Sequence, residues 1–361
     1  EFFSGLTYSP NDVVLNNGTL VIRSSNIKNN QIIDADNVFV DKNIVNSEQV
    51  RVGDIIVVVR NGSRDLIGKN AVVRKESPDT VIGAFMTGIR SKYYNFNYTL
   101  LNTKLFNKQV AENLGATINQ ITTGMFNKMV FNFPAIEEQQ KIGEFFKVLD
   151  ERIANQERKI AKVKALKSAY LTEMFPQEGE TIPKRRFKGF VGNWERIKLT
   201  NIASIIGGGT PSTSNLEYWN GKIDWYSPTE IGKQVYASKS VKTITELGLQ
   251  KSSATVLPAN RTILFTSRAG IGDMAILAND GATNQGFQSL VLNDNVDTYF
   301  MYSMGYKIKN YALINASGST FLEISGKQLE KMDVILPSYK EQQKIGQFFK
   351  NLDDQIATEE K

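Results

Sequence analysis

Apolar residues recur at Ile142, Phe146, Leu149, Ile153, Ile160, Val163, Tyr170 and Met174, a spacing of 4-3-4-7-3-7-4. This is a heptad seam in which Gln156 and Lys167 fill the two skipped positions. It predicts one long helix from Ala135 to Phe175, bounded by Pro134 and Pro176. The same frame returns at Ile345, Phe349, Leu352 and Ile356, where Ser338 and Glu341 predict an S-x-x-E capping box. Shorter apolar runs predict strands. "VGDIIVVV" (52–59) and "RTILFTS" (261–267) read as buried strands, and "NKMVFNFP" (127–134) and "KMDVILP" (331–337) as strands leading into the two helices.

The two helices belong to a duplication. An offset of 203 places Pro134–Arg158 over Pro337–Lys361 with 15 of 25 positions identical. The offset also places "GATINQITTGMFNKM" (115–129) over "GSTFLEISGKQLEKM" (318–332), and "FFSGLTYS" (2–9) over "IIGGGTPS" (205–212). Between these anchors the copies diverge. A period this long exceeds that of solenoid repeats and implies two domains, each with its own core.

The expected layout is a first domain at 1–133, a central spacer helix at 134–180, a second domain at 181–336 and a second helix at 337–361. The expected fold class is α/β, two duplicated domains joined by long coiled-coil helices. A two-fold-like arrangement sets those helices antiparallel within one chain, as a spacer between the domains. A dimerisation coil between separate chains is the competing reading. Arg158, Lys159, Lys162, Lys164 and Lys167 form a basic stretch without an acid, either a solvated face or one turned to phosphate or a partner subunit.

Composition narrows the chemistry. There are no cysteines and no histidines, which removes disulfides, thiolate chemistry, the usual general base and the usual zinc ligand. The lack of cysteines makes a cytoplasmic setting the expectation, and the longest aliphatic run, Ile55–Val59, is too short to span a bilayer. The opening "EFFSGLTYSP" lacks a basic n-region and an initiator Met and reads as the interior of a longer protein. A net charge of +6 is compatible with nucleic acid. No proline is followed by another, so the Asp/Asn-Pro-Pro-aromatic loop of amino-group methyltransferases is absent. The Glu-x-Lys tripeptide Glu157-Arg158-Lys159 falls on the spacer helix rather than beside Pro78-Asp79, as a restriction-type nuclease would need. Gly207–Gly209 are not followed by Gly-Lys-Ser/Thr and read as a turn needing positive φ. "YWNGKIDWYSP" (218–228) reads as aromatics, mostly core, around an Asn-Gly turn. The chain is expected to bind without chemistry or a metal of its own.

"FPAIEEQQKIGEFFKVLDERIANQERKI", its copy "LPSYKEQQKIGQFFKNLDDQIA", and "NWERIKL…IIGGGTPSTSNLEYWNGKIDWYSPTEIG" together resemble the DNA-specificity subunit of type I restriction-modification enzymes. The resemblance covers essentially the whole chain. It implies two target-recognition domains separated by two antiparallel spacer helices, each domain reading one half of a bipartite double-stranded DNA site. It implies no catalytic residues and no cofactor here. S-adenosylmethionine is expected in partner methyltransferase subunits, and restriction/translocase subunits complete the assembly. The counterparts of residues 159–203 in the second copy fall outside this sequence. A coiled-coil scaffold that does not read DNA sequence is the alternative, and a fused enzyme lacking its catalytic portion is a third.

Specific readers combine phosphate contacts with a few base-edge contacts. The polar turns supply candidates in the first domain: Arg60, Asn61, Ser63, Arg64, Lys69, Arg90 and Lys92. In the second they are Thr210, Ser212, Lys233, Ser267, Arg268, Asn284, Gln285 and Gln288, with the Thr117 and Thr320 loops as weaker additions. Each also admits a reading as solvated or structural. The spacer and subunit interface is expected at Ile142, Phe146, Leu149, Ile153, Ile160, Val163, Ile345, Phe349, Leu352 and Ile356.

Overall fold

The computed structural model describes residues 1–114, 119–268, 270–318 and 322–360. Two compact units emerge, Glu1–Asn155 and Gln156–Lys361.

In the first unit, β1 (Phe2–Ser4), β2 (Ile55–Val58), β3 (Asn70–Val72) and β4 (Met86–Ile89) form an antiparallel sheet of order β1-β4-β2-β3. A second four-stranded sheet contains one parallel pair, Thr19–Ile22 beside Thr80–Ile82. The run at 55–58 is apolar throughout because both of its faces are covered. Ile55 and Val57 pack with Tyr98 and Phe106 of helices α1 (Tyr94–Leu101) and α2 (Lys104–Asn113). Ile56 and Val58 pack with Phe3, Ile82 and Met86 on the other side.

The second unit repeats the plan. Strands β5 (Ala203–Gly207), β6 (Thr262–Phe265), β7 (Met274–Leu277) and β8 (Gln288–Leu292) run antiparallel in the order β5-β8-β6-β7, and Tyr236–Ala237 adds a parallel edge. Its smaller sheet also holds a parallel pair, Trp219–Tyr226 beside Gly281–Thr283. Ile263 and Phe265 face one core while Leu264 faces another.

The long helix, α3, spans Ile136–Glu173, 38 residues and about 57 Å. Within the first unit it docks along one face through Gln139, Gly143 and Asp150; Asp150 pairs with Arg74 at 3.2 Å. Phe146 and Ile153 of the predicted seam are 43% and 57% exposed. Ile142 and Leu149 are half-buried.

Within the second unit the rest of α3 runs antiparallel to α4 (Tyr339–Glu359). Gln156 donates to the Glu359 carbonyl at 2.8 Å, Lys167 pairs with Asp353 at 2.5 Å, and Tyr170 meets Phe348 edge-on at 5.0 Å. Ile345, Phe349 and Leu352 are buried here, with half-buried Val163 packed against them. Ile160 and Ile356 are half-buried.

Several sequence expectations are corrected. "NKMVFNFP" is not a strand, and Val130 and Phe133 are exposed. Its counterpart Asp333–Leu336 pairs with Glu195–Lys198, whereas the described residues of the first unit offer 127–134 no partner strand. The Ser338–Glu341 capping box does not form, because Glu341 turns to Arg186. Asn220-Gly221 lies in a bulged strand rather than a hairpin turn. None of Gly207–Gly209 has positive φ; close backbone approach requires Gly208 and Gly209 instead.

Candidate nucleic-acid interface

The sheet of each unit ends in a rim where three segments meet. In the first unit, Leu6 N–H donates to the Ile82 carbonyl at 2.7 Å, and Val59 N–H to that of Phe85 at 3.0 Å. Ile121 N–H donates to the Val59 carbonyl at 2.8 Å. In the second unit the corresponding bonds are Gly209 to Thr283 at 2.9 Å, Ser267 to Gly286 at 2.8 Å, and Ile324 to Ser267 at 3.0 Å. A Cβ on Gly5 would lie 2.0 Å from the Gly83 carbonyl oxygen, and one on Gly208 would lie 2.0 Å from that of Asn284. Only glycine permits strand and loop to approach so closely. These pairings make Val59 equivalent to Ser267, so Arg60 and Arg268 occupy the same place in the two units.

The neighbours of the two arginines differ. The Arg60 guanidinium lies 5.0 Å over the ring of Phe85, which is 53% exposed. In the second unit Gly286 replaces Phe85, and the residue before it is exposed Gln285, whose Oε1 accepts from Thr210 Oγ1. Thr210 has its own counterpart in exposed Thr7, one offset upstream.

The turn carrying Arg268 is held from below. Thr266 Oγ1 donates to the Gly270 carbonyl at 2.6 Å and accepts from Asp273 N–H at 2.9 Å. Gly270 and Gly272 have φ of +110° and +88°, and Asp273 pairs with Lys309 at 3.2 Å. Exposed Lys233 follows Gly232, which packs on the same Asp273. Asn284 accepts from Gly286 N–H at 2.8 Å and shapes its own loop. Gln288 starts β8 opposite Gly207. Exposed Ser212 lies two residues beyond Thr210.

The other candidates separate into different roles. Asn61 accepts from Ser63 N–H at 3.0 Å and donates to Ser24 Oγ at 3.1 Å, bracing the turn that exposes Ser63. Arg64 and Lys69 line a polar groove of about 650 Å³ with Asn30, Asn70 and Asn107. Arg90 is engaged within its own unit. Its guanidinium grips buried Asp54 through two bonds of 2.8 Å, reaches Glu48 at 2.5 Å and covers Phe3. The Asp54 hydrogen bonds raise its pKa above the usual range, so it stays a fixed cation. Exposed Lys92 stands beside Arg90 at the far end of β4 from Phe85, near α3. Ser267 is fully buried; its backbone makes the rim pairings, and its hydroxyl has no hydrogen-bond partner among the described residues. The loops at Thr117 and Thr320 lie outside the described residues. Sequence reasoning missed Phe85, which carries no local signal. Thr7 was visible as part of the repeated Gly-x-Thr-x-Ser frame.

The model of the type I restriction modification DNA specificity domain matches residues 2–165 and again 192–361, one match for each rim. The chain belongs to that family. It is 37% identical over 174 residues to the type I restriction enzyme MjaIX specificity subunit of Methanocaldococcus jannaschii, covering 47% of this chain and 40% of that one. It is 30% identical over 171 residues to the EcoR124I/EcoR124II specificity subunit of Escherichia coli, covering 45% and 41%. The aligned part is thus about two fifths of the length of these two relatives. The crystal structure of a type I restriction-modification system S subunit from M. genitalium shares the fold, with a TM-score of 0.62 at 16% identity over 100% of this chain and 88% of that one. The duplicated specificity domains and the long helix are therefore the family architecture. Among the described residues no helix is long and apolar enough to cross a membrane.

Proposed function

We propose that this chain is the DNA sequence-recognition subunit of a type I restriction-modification complex in the cytoplasm. Each unit reads one half of a bipartite target, and the helices set the gap and dock methyltransferase subunits. Those subunits bind S-adenosylmethionine and methylate the DNA; restriction/translocase subunits join them to cleave unmodified DNA. The chain itself performs neither reaction. The observation that carries this reading is the pair of equivalent rims, each bearing an arginine beside different side chains. A shared frame with unlike neighbours suits two unlike half-sites better than it suits a scaffold.

The test is to reassemble the chain with its methyltransferase subunits and map methylation. Arg60→Ala should relax or weaken one half-site and Arg268→Ala the other. A base-edge arginine is worth about 1–3 kcal/mol of discrimination, whereas a phosphate contact lowers affinity for all sequences and flattens the salt dependence. Equal damage to both half-sites by either substitution would refute the assignment of one unit to one half.

A further inference from the structure

Gln285 projects from a loop whose backbone is fixed on both sides. Asn284 N–H donates to the Tyr226 carbonyl at 3.0 Å, and the Gly286 carbonyl accepts from Ser267 N–H at 2.8 Å. The Gly208 contact closes the loop from a third direction. Gln285 itself is exposed, and its Oε1 accepts from Thr210 Oγ1. That bond tethers the carboxamide to Thr210. It uses one of two lone pairs on Oε1 and leaves both Nε2 hydrogens available.

We infer that Gln285 reads an adenine in the major groove of the half-site bound by the second unit, with Thr210 as its positioning residue. This rests on the DNA-recognition role proposed above. Adenine presents an acceptor at N7 beside a donor at N6, which matches the free donor and remaining acceptor of the tethered carboxamide. Guanine presents two acceptors there, N7 and O6, so Oε1 would face an oxygen. Cytosine offers Oε1 a single donor, and thymine offers Nε2 a single acceptor. Holding the carboxamide in place before contact removes part of the ordering cost of binding.

Methylation mapping of the complex assembled on the full chain tests this. The wild type should give a bipartite motif. Gln285→Ala should make one A·T letter degenerate in the second unit's half-site, with about 5- to 150-fold loss of discrimination there. Gln285→Glu should shift that letter toward cytosine, whose N4 donates to a carboxylate. Thr210→Val should weaken preference at the same letter only, and Thr210→Ser should preserve it. With wild-type complex, 7-deazaadenine at that letter should weaken binding about 5-fold or more, because N7 is removed. An unchanged motif in Gln285→Ala, loss of a G·C letter, or indifference to 7-deazaadenine would overturn the inference while leaving the recognition role intact. Absence of a bipartite motif in the wild type would overturn the role and the inference together.

Discussion

Gly143 of α3 lies against the backbone of Phe96, where an added Cβ would come within 2.6 Å of the amide nitrogen. Its repeat partner Gly346 has the same relation to Phe300, at 2.9 Å, and to the Asp297 carboxylate. Both are identical residues in the repeated helix, and both seat the first turn of a helix against a bare stretch of backbone.

Gly143→Ala should therefore destabilise the first unit although alanine favours helix by about 1 kcal/mol. Overpacking costs about 1–3 kcal/mol, and here the obstructing atom is backbone that cannot rotate away. Denaturant unfolding followed by circular dichroism should show a lower midpoint. All three tryptophans, Trp194, Trp219 and Trp225, lie in the second unit, so their fluorescence transition should stay put. A midpoint at or above wild type would contradict the close contact.

Arg186 and Glu341 form a two-bond ion pair at 2.7 Å, with side chains 15% and 1% exposed. Glu341→Ala should cost about 3–5 kcal/mol, because a buried guanidinium is left without its carboxylate. Tryptophan fluorescence is the right probe, since Trp194 packs in the same core. The double change Arg186→Met with Glu341→Leu should recover much of the loss. If Glu341→Ala unfolds at the wild-type denaturant concentration, the pair contributes nothing.

The paired helices offer a ruler. Four residues inserted into an α-helix add about 40° of net rotation and about 6 Å of rise. One base-pair step in B-DNA is about 34°. Matched insertions near Ile160 and near Ile356 should lengthen the gap in the methylated site by one or two pairs. Both half-sites should keep their letters, because neither rim is touched. An active complex with an unaltered gap would refute the ruler.

The duplication, the long helix and the buried strands were legible because each writes a period or a copy into the sequence. Arg60 and Arg268 were found as polar-turn residues, but their equivalence was hidden. They stand 208 positions apart while the anchors at Gly5 and Ile121 keep the offset of 203, so loops of different length obscure the match. The ion pairs of Arg90 were hidden for another reason: its partners Asp54 and Glu48 are about forty residues away in sequence, and only the fold brings them together. "NKMVFNFP" has the composition of a strand, but a strand needs a neighbour to accept its hydrogen bonds.

The clamps at Gly5 and Gly208 hold the backbone of each loop and leave the side chains of Ala84, Phe85 and Gln285 exposed. Side chains at residues 84–85 or 285 can thus change without disturbing the backbone pairing beneath. The near-identical stretches "EQQKIGEFFK" and "EQQKIGQFFK" also give two genes of this kind matching places to exchange halves. On the recognition role proposed above, a small stock of interchangeable readers would generate targets by multiplication, and one crossover would supply a new address in place of many point changes.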